Sequence, residues 1–381
     1  MVVKNQRHIK QQNRREVLEM IIKEGPISKS VIAKNMNMSP TSSTRIVNYL
    51  LHEGLIIEDV SNGTNKGKRN LLSPNQNSIF NISAEVDIDS ISLAVINLKG
   101  KIILKDSIHI ETLDEEKVAD ILGEEIVKIS KNQIVDGKKI MGVGIAIPGI
   151  INFETGTVKI STQFNWENVP FAKMIQEKTG YEVLIDNELK LKALAENYYS
   201  SERETNLVMV GFGNGVGSAL VTEGEIYRGS DNASGEIGHI TLDPMGPRCT
   251  CGKYGCLQTY IAKDFLLADA RMSHQVNDIN ELVELAESGQ VWAIGILDKA
   301  ISYMLLTLNN LMRIYNPSVI YISGSLIENH SYMHHKLSNS FGEVDAFRVG
   351  DLKIFFTHLK EEGALIGAAL ECQRKYIENL E

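Results

Sequence analysis

Three of the four cysteines and a histidine fall within one short segment, and this cluster limits how that segment can fold. The stretch HITLDPMGPRCTCGKYGC, residues 239–256, contains His239, Cys249, Cys251 and Cys256. Cysteines clustered in this way in a chain with no secretory segment indicate a metal site rather than disulfides. Three thiolates and one imidazole fill a tetrahedral set and leave no position for a catalytic water. The spacing therefore predicts a structural metal; four reduced side chains without a metal, or a labile metal sensor, are the alternatives.

The charge of the chain is unevenly distributed. Residues 1–75 hold seven Lys and five Arg against five Glu and one Asp, a net charge of +6, so the rest of this −9 chain carries −15. A small basic segment on an acidic body is typical of nucleic-acid binding, and a solvated basic tail is the alternative. The N-terminal residues lack an apolar signal segment, and runs such as MGVGIAIPGII are shorter than the roughly 20 residues of a membrane span. We therefore expect a cytoplasmic protein with no membrane partner.

Apolar spacing and capping residues in this basic segment predict three helices. The first ends at Gly25-Pro26, the second begins after an N-cap at Ser28, and the third begins at Ser39-Pro40. The apolar positions expected to face a core are, helix by helix, Val17, Leu18, Ile21 and Ile22; Val31, Ile32 and Met36; and Ile46, Val47, Leu50 and Leu51.

The third helix and the hairpin after it supply side chains suited to DNA. The outer side of the helix presents short polar and guanidinium groups that fit base edges in a major groove: Thr41, Ser42, Thr44, Arg45 and Asn48. The segments LIIEDV and NLLS then bracket a glycine-rich turn with Lys66, Lys68 and Arg69, a wing placed to contact backbone or minor groove. The pattern predicts a winged helix-turn-helix DNA-binding domain over residues 1–76, with a protein-interaction module as the alternative.

From about residue 79 the pattern changes to strands that alternate with helices. The stretches IDSISLAVINLKGKIILKDSIHI and NLVMVGFGNGVGSALVTEGEIYRG each predict paired strands, MGVGIAIPG predicts a buried strand, and LKLKALAENYY predicts a helix. Strands alternating with helices, with glycine turns at the strand ends, favour an α/β architecture.

An ordered set of short motifs makes this body resemble a known family. The chain contains IPG, FNW, IDNE with AE after it, GFGNGVG, SGEIGH, CTCGKYGC and ISGS, in this order. The set resembles the ROK family, which groups bacterial sugar kinases with sugar-responsive repressors, and with the winged head the chain is most similar to the xylose repressor branch. The resemblance implies a two-lobed α/β actin-like ATPase (sugar-kinase-like) domain over residues 79–381, with a small lobe of about 79–186 plus the C-terminal helix and a large lobe of about 187–363. It also implies a homodimer or a dimer of dimers.

The resemblance assigns roles to individual residues. The equivalents of His239, Cys249, Cys251 and Cys256 bind structural Zn²⁺ in the family, whereas Cys372 stands apart in a terminal helix, where we expect it in the core. A sugar lies in the cleft, where a carboxylate and a ring nitrogen can hydrogen-bond adjacent hydroxyls. The residues matching family sugar positions are Gln163, Asn187, Glu188, Glu236, His239 and Gln258.

Two departures from the family pattern indicate that phosphoryl transfer is lost. ROK kinases use an Asn-Asp pair whose aspartate takes the proton of the attacking hydroxyl, but here the pair is Asn187-Glu188, one methylene longer at the base position. The Gly-Gly-Thr phosphate turn of the kinases is replaced by EVDIDS, in which Glu85, Asp87 and Asp89 would repel a phosphate. We therefore predict no catalytic residue, Glu188 being a degenerate base. An active ROK-type sugar kinase with a regulatory DNA-binding head is the alternative.

Three further departures affect the identity of the sugar. Gln163 and Lys190 stand where the family has asparagines, and Gln258 stands where it has a glutamate. An amide in place of a carboxylate removes a strong acceptor and adds a donor. The expected function is a sugar-responsive repressor of carbohydrate utilisation genes, with xylose as the sugar that the resemblance suggests. Its partners would be a double-stranded DNA operator and a small sugar effector that releases the protein from it.

Overall fold

The N-terminal head folds into three helices and a three-stranded sheet. The structure is a computed structural model that describes residues 6–60, 70–77, 79–200, 206–342 and 352–379. The elements of the head are α1 (Gln6–Glu24), β1 (Ile27–Ser28), α2 (Lys29–Asn35), α3 (Pro40–His52), β2 (Ile56–Val60) and β3 (Asn70–Pro74). The strands pair antiparallel in the order β1-β3-β2. The predicted wing residues Lys66, Lys68 and Arg69 lie outside the described residues.

The helix caps form where the sequence predicts them. The Ser28 hydroxyl accepts the Val31 N–H at the start of α2, and the Ser39 hydroxyl accepts the Ser42 N–H at 3.1 Å at the start of α3. The predicted apolar faces of α1 and α3 are buried, except that Leu51 is half-buried. The prediction for α2 is partly wrong: Val31 is 41% exposed, because this short helix turns Ile32 and Ala33 inward.

The body alternates strands and helices, as predicted. Its first half consists of β4 (Ile79–Val86), β5 (Ser90–Asn97), β6 (Ile102–His109), α4 (Glu115–Ser130), β7 (Lys139–Ile147), β8 (Ile150–Asn152), β9 (Thr157–Ser161), β10 (Trp166–Val169), α5 (Phe171–Thr179) and β11 (Val183–Asn187). Its second half consists of α6 (Glu188–Tyr199), β12 (Asn206–Phe212), β13 (Val216–Thr222), β14 (Glu225–Ile226), α7 (Lys263–Arg271), α8 (Ile279–Glu287), α9 (Val291–Tyr315), β15 (Val319–Ser323), α10 (Ser325–Glu328), α11 (Ser331–Asn339), β16 (Lys353–Phe356) and α12 (Glu362–Glu378).

One compact unit combines the head with the first sheet of the body. It comprises residues 1–147, 170–185 and 368–381. The five strands of its sheet are ordered β11-β7-β4-β5-β6, with β4 parallel to β7 and antiparallel to β5. The later part of α12 packs on this sheet and buries Cys372, as predicted. At the end of α12, Glu378 accepts a hydrogen bond from the Arg15 guanidinium of α1 at 2.8 Å.

The packing of α12 on β7 depends on a residue without a side chain. A Cβ at Gly144 would collide with the backbone carbonyl of Ala368. We expect Gly144→Ala to lower the free energy of unfolding by about 1–3 kcal/mol, because overpacking forces the backbone to shift. Urea unfolding measures this loss. The control is Gly295→Ala in α9, where a Cβ meets nothing within 4 Å and alanine favours the helix; equal effects of the two changes would contradict the prediction.

The second unit, residues 148–169 and 186–367, contains two further sheets. One is antiparallel with the order β10-β9-β8, and the other has the order β14-β13-β12-β15-β16, with β12 parallel to β15. Within the part of the chain that the structure describes, α9 is the one helix long and apolar enough to cross a membrane. The sequence-based prediction, which considered only uninterrupted apolar runs, did not identify it. Ten of its side chains are buried, and most of them belong to the apolar core of this unit. The predicted domain boundaries, at 76–79 and 186–187, stay a prediction.

Candidate functional site

The outer side of α3 forms a polar surface on the head. Thr41, Ser42, Thr44, Arg45 and Asn48 are all exposed, as expected for side chains that contact a partner. Four of them, together with Pro40, line one concave surface. The Ser43 hydroxyl donates to the Lys29 carbonyl and fixes α3 against α2. The exposed side of α3 thus presents one arginine and several hydroxyl and amide groups, while its opposite side is buried in the head.

His239, Cys249, Cys251 and Cys256 come together in the second unit. His239 ends a short 3-10 helix (Ile237–His239), and Cys256 immediately precedes another (Leu257–Tyr260). An antiparallel bridge between Thr241 and Cys256 closes the loop between them. The four ligand atoms lie within 4.8 Å of one another. The spacing-based prediction of one convergent cluster is therefore confirmed in its geometry.

The distances in the cluster fit a tetrahedral metal centre. The Cys251 and Cys256 sulfurs are 3.7 Å apart, and the Cys249 sulfur is 3.6 Å from His239 Nδ1. With zinc bonds of about 2.3 Å to sulfur and about 2.0 Å to nitrogen, a tetrahedron places two sulfurs about 3.8 Å apart and a sulfur and a nitrogen about 3.5 Å apart. These two distances match the edges of such a tetrahedron, and no two of the four ligand atoms are more than 4.8 Å apart.

The loop that carries the cysteines requires glycine at one position. Gly255 has φ +62°, in the left-handed region, and a Cβ there would collide with the backbone carbonyl of Asp243. The N–H groups of Leu242 and Asp243 both donate to the Gly255 carbonyl, which ties the two sides of the loop together. The sequence CGKYGC therefore sets the turn that brings Cys256 back to the other ligands.

The electrostatics of the cluster favour a bound cation. Burial disfavours the Cys249 thiolate, but hydrogen bonds from the Cys251 backbone N–H, the other two thiols and Gln258 outweigh it and lower its pKa. Burial and the two neighbouring sulfurs raise the pKa of Cys256 to about 12. Burial and the charge of Lys253 lower the pKa of His239, which favours the neutral imidazole that binds metals. A divalent cation would stabilise all three thiolates at once.

Asn187 and Glu188 lie at the start of α6. The Asn187 side chain is the N-cap: its Oδ1 accepts the N–H groups of Leu189 and Lys190 at 3.0 and 3.2 Å. Its Nδ2 donates to the Gly149 carbonyl at 3.1 Å. Most of its hydrogen-bonding capacity therefore holds the helix and the IPG turn in place, a capping role that sequence comparison with kinases did not predict.

Lys190 belongs to a buried polar network that sequence reasoning missed. Its ammonium donates to the main-chain oxygen and, at 2.9 Å, to the Oδ1 of Asn232. The Asn232 amide donates to Asp186 at 3.1 Å, and the Arg228 guanidinium pairs with the same carboxylate. Each charge in the network has an opposite charge or a hydrogen-bond partner, so the network fixes α6 against the segment that leads to SGEIGH.

Glu236 is electrostatically linked to this network. Burial raises the pKa of Glu236, and the charge of Lys190 opposes the rise. Burial lowers the pKa of Lys190, and the carboxylate of Asp186, ahead of those of Glu236 and Glu188, opposes that shift. The carboxylates of Glu188 and Glu236 therefore both interact electrostatically with the buried ammonium of Lys190.

Gln163 and the SGEIGH turn lie beside the start of β13. A Cβ at Gly215 would be 3.5 Å from Gln163 Nε2, and the Ser218 N–H donates to the Gly235 carbonyl at 2.8 Å. A Cβ at Gly238 would be 3.2 Å from Gln258 Oε1. The predicted sugar residues in these segments thus gather around one β-hairpin of the second unit.

In the ISGS motif, Ser323 and Gly324 are held by a carboxylate. The Ser323 hydroxyl and the Gly324 N–H both donate to Glu328 Oε1 at 2.7 Å. Gly324 has φ +108°, and its Cα lies against the backbone of Phe212 in GFGNGVG. The Gly324 backbone amide therefore already has an anionic partner four residues later in the chain.

Comparison with known proteins agrees with this arrangement. Residues 82–375 match the profile of the ROK family. The chain belongs to the ROK family. It is 28% identical over 333 residues to a xylose repressor from Bacillus spizizenii, covering 87% of this chain and 86% of that protein.

Solved structures of other ROK proteins share the fold. A ROK family transcriptional regulator, a homologue of the Escherichia coli MLC protein, matches with a TM-score of 0.84 at 25% identity over 97% of this chain and 98% of that one. A ROK hexokinase from Thermus thermophilus matches with a TM-score of 0.66 at 24% identity, over 76% of this chain and 97% of that one. The resemblance and the fold class predicted from the sequence are confirmed. The match to the regulator covers nearly the whole chain, including the head. The match to the hexokinase covers about three quarters of the chain.

Proposed function

We propose that this ROK protein is a sugar-responsive DNA-binding transcriptional repressor of carbohydrate utilisation genes. The observation that carries the proposal is the match to a ROK regulator over 97% of the chain, head included. The similarity to a xylose repressor supports xylose as the first effector to test. The chain is cytoplasmic in this proposal, and its DNA-binding form is a homodimer or a dimer of dimers.

In the proposed function the head binds duplex DNA as a winged helix-turn-helix. Arg45 is suited to bidentate contact with guanine, and Asn48, one turn further along α3, is suited to adenine. Thr41, Ser42 and Thr44 lie on the same exposed side and can contact phosphates or bases. Lys66, Lys68 and Arg69 would contact backbone or minor groove from the wing. Two-fold symmetry of the protein would select a pseudo-palindromic operator.

The metal in this proposal is Zn²⁺, held by His239, Cys249, Cys251 and Cys256. The ion would supply positive charge that keeps the three thiolates ionised and would fix the loop between the two 3-10 helices. With His239 Nδ1 directed at the cluster, the ring leaves Nε2 for hydrogen bonding to an effector. The metal centre therefore shapes the effector site and takes no part in a reaction.

The effector in this proposal is a small sugar bound in the second unit. Glu236, Glu188 and Gln163 supply carboxylate and amide groups, and Asn187 holds the IPG turn beside them. The Lys190 network fixes the position of Glu236 by anchoring Asn232 four residues before it. Sugar hydroxyls would thus meet polar groups that are already oriented, which reduces the entropy cost of binding.

We expect no phosphoryl transfer. Glu188 is longer than the kinase aspartate, and Asp87 and Asp89 are exposed in EVDIDS, which replaces the phosphate turn of the kinases. Sugar-dependent ADP release should stay at background, and Glu188→Asp should not raise it because the phosphate cradle is still missing. A coupled ADP-release assay with several sugars measures this. Sugar-dependent turnover by the wild-type protein would instead favour the alternative, a ROK sugar kinase with a regulatory head.

The experiment that tests the proposed function has two stages. A thermal-shift screen of pentoses, hexoses and their phosphates identifies the effector, because a ligand of the native state raises the melting temperature. An operator selected from random duplexes is then titrated with and without that sugar at fixed salt. A coupling of about 1–3 kcal/mol would weaken operator binding about 5- to 150-fold. A sugar that binds but leaves operator affinity unchanged, or increases it, contradicts release by the effector.

A further inference from the structure

The side chain of Gln258 is directed at the cysteine cluster. It is buried, with 8% of its surface exposed. Its Nε2 donates to the Cys249 sulfur at 3.1 Å and to the Thr250 hydroxyl at 3.2 Å. A carboxamide has two N–H groups, and these two contacts use both of them. The amide nitrogen is therefore fully committed within the loop that carries the cysteines.

The other end of the same amide lies against the SGEIGH turn. A Cβ at Gly238 would be 3.2 Å from Gln258 Oε1 and would also collide with the Val216 carbonyl. Glycine at 238 thus leaves the space that the amide oxygen uses. The Gln258 side chain therefore contacts the ligand Cys249 with its nitrogen, while its oxygen lies near Gly238, the residue before His239.

We propose that Gln258 is a positioning residue of the metal centre, whose amide N–H donates to the Cys249 thiolate. The inference deepens the proposed function and rests on its metal centre. An N–H···S hydrogen bond withdraws electron density from a thiolate ligand and orients it, as other groups around metal ligands do. The glutamate that the family has at this position offers no such donor when ionised and would set a carboxylate against the sulfur.

The same geometry decides what Gln258 offers to a sugar. Because both N–H groups are used inside the loop, only Oε1 is left, and it can accept one hydroxyl hydrogen bond without bringing a charge. In this proposal the donor that the amide adds serves the cysteine loop rather than the sugar.

Cobalt-loaded protein tests this role by spectroscopy. The variants are Gln258→Met, which removes the amide, and Gln258→Glu, which replaces the donor with a carboxylate. Both should shift the sulfur-to-cobalt charge-transfer band to lower energy and weaken metal binding in chelator competition by about 10- to 100-fold. The control is Gln290→Met, the same change from an amide to a thioether at an exposed position before α9 that makes no side-chain cap hydrogen bond. It should leave the band and the affinity unchanged.

A measurement on the wild-type protein covers the case in which the variants do not fold. In protein loaded with NMR-active cadmium, a scalar coupling between the metal and a side-chain amide proton of Gln258 reports the hydrogen bond directly. Absence of this coupling in metal-loaded protein, or an unshifted cobalt band in both variants, overturns the positioning role while the metal centre stands. A wild-type protein that binds neither ion in a tetrahedral thiolate site overturns the metal centre and the positioning role with it.

Discussion

Arg45→Ala is expected to abolish specific operator binding and to leave sugar binding intact. The guanidinium is exposed on the outer side of α3, whereas the residues proposed to bind sugar all lie in the second unit. Loss of one bidentate arginine contact to guanine costs about 1–3 kcal/mol. A dimer loses this contact in both half-sites, about 2–6 kcal/mol in all, which is comparable with the roughly 4–10 kcal/mol that separates specific from non-specific binding. A titration with operator and with a scrambled duplex at one salt concentration measures the change.

Two further variants make this result interpretable. Arg313→Ala removes the same charge from α9, outside the head, and should keep wild-type operator affinity. Glu236→Ala should do the reverse of Arg45→Ala: it should bind operator normally and no longer respond to sugar. If Arg45→Ala retains full discrimination between operator and scrambled duplex, α3 does not read the sequence.

The second large effect is expected from Cys251→Ser. The change removes one of four ligands, so elemental analysis should find almost no zinc in the variant and about one zinc per chain in the wild-type protein. Loss of the ion should lower the melting temperature by several degrees, because a structural metal contributes directly to folding free energy. Sugar binding should weaken as well, since His239 is a ligand and Glu236 directly precedes the 3-10 helix that ends at His239.

Cys372→Ser is the matched control for the cysteine variant. Cys372 is buried in α12, outside the cluster, and the change also converts a thiol to a hydroxyl. It should keep the full zinc content and the sugar affinity while losing some stability. Wild-type sugar affinity in a zinc-free Cys251→Ser protein would disconnect the metal centre from the effector site.

The sequence predicts those parts of the fold that depend on local pattern. The caps at Ser28 and Ser39 form as expected, because an N-cap needs only its own helix. Val31 was wrongly expected to be buried, since a helix of seven residues does not fix which side faces the core. The membrane-like composition of α9 was missed because scattered polar residues interrupt its apolar runs, although tertiary packing buries many of its side chains.

In the candidate site, too, features set by local sequence were predictable and features set by distant contacts were not. Ligand spacing was enough to predict the cysteine cluster, because its members lie within one loop. The Lys190 network was not predictable, since it joins α6 to Asn232 and Asp186 to Arg228, each 42 residues apart in the chain. Gln258 was recognised as a departure, but its direction depends on the sulfur nine residues before it and on the space left by Gly238. The chemical type of a side chain can be read directly from the sequence, whereas its orientation depends on contacts with residues elsewhere in the chain.

The hydrogen bond between Arg15 and Glu378 has a practical consequence for labelling. It places the last turn of α12 directly beside α1 of the head, so a fluorescent protein or affinity tag fused after α12 would stand next to the DNA-binding elements. A weakened operator signal from such a fusion would reflect steric blockage by the tag. A dye attached at an engineered cysteine in an exposed position of the second unit, such as Ser273 after α7, avoids this artefact.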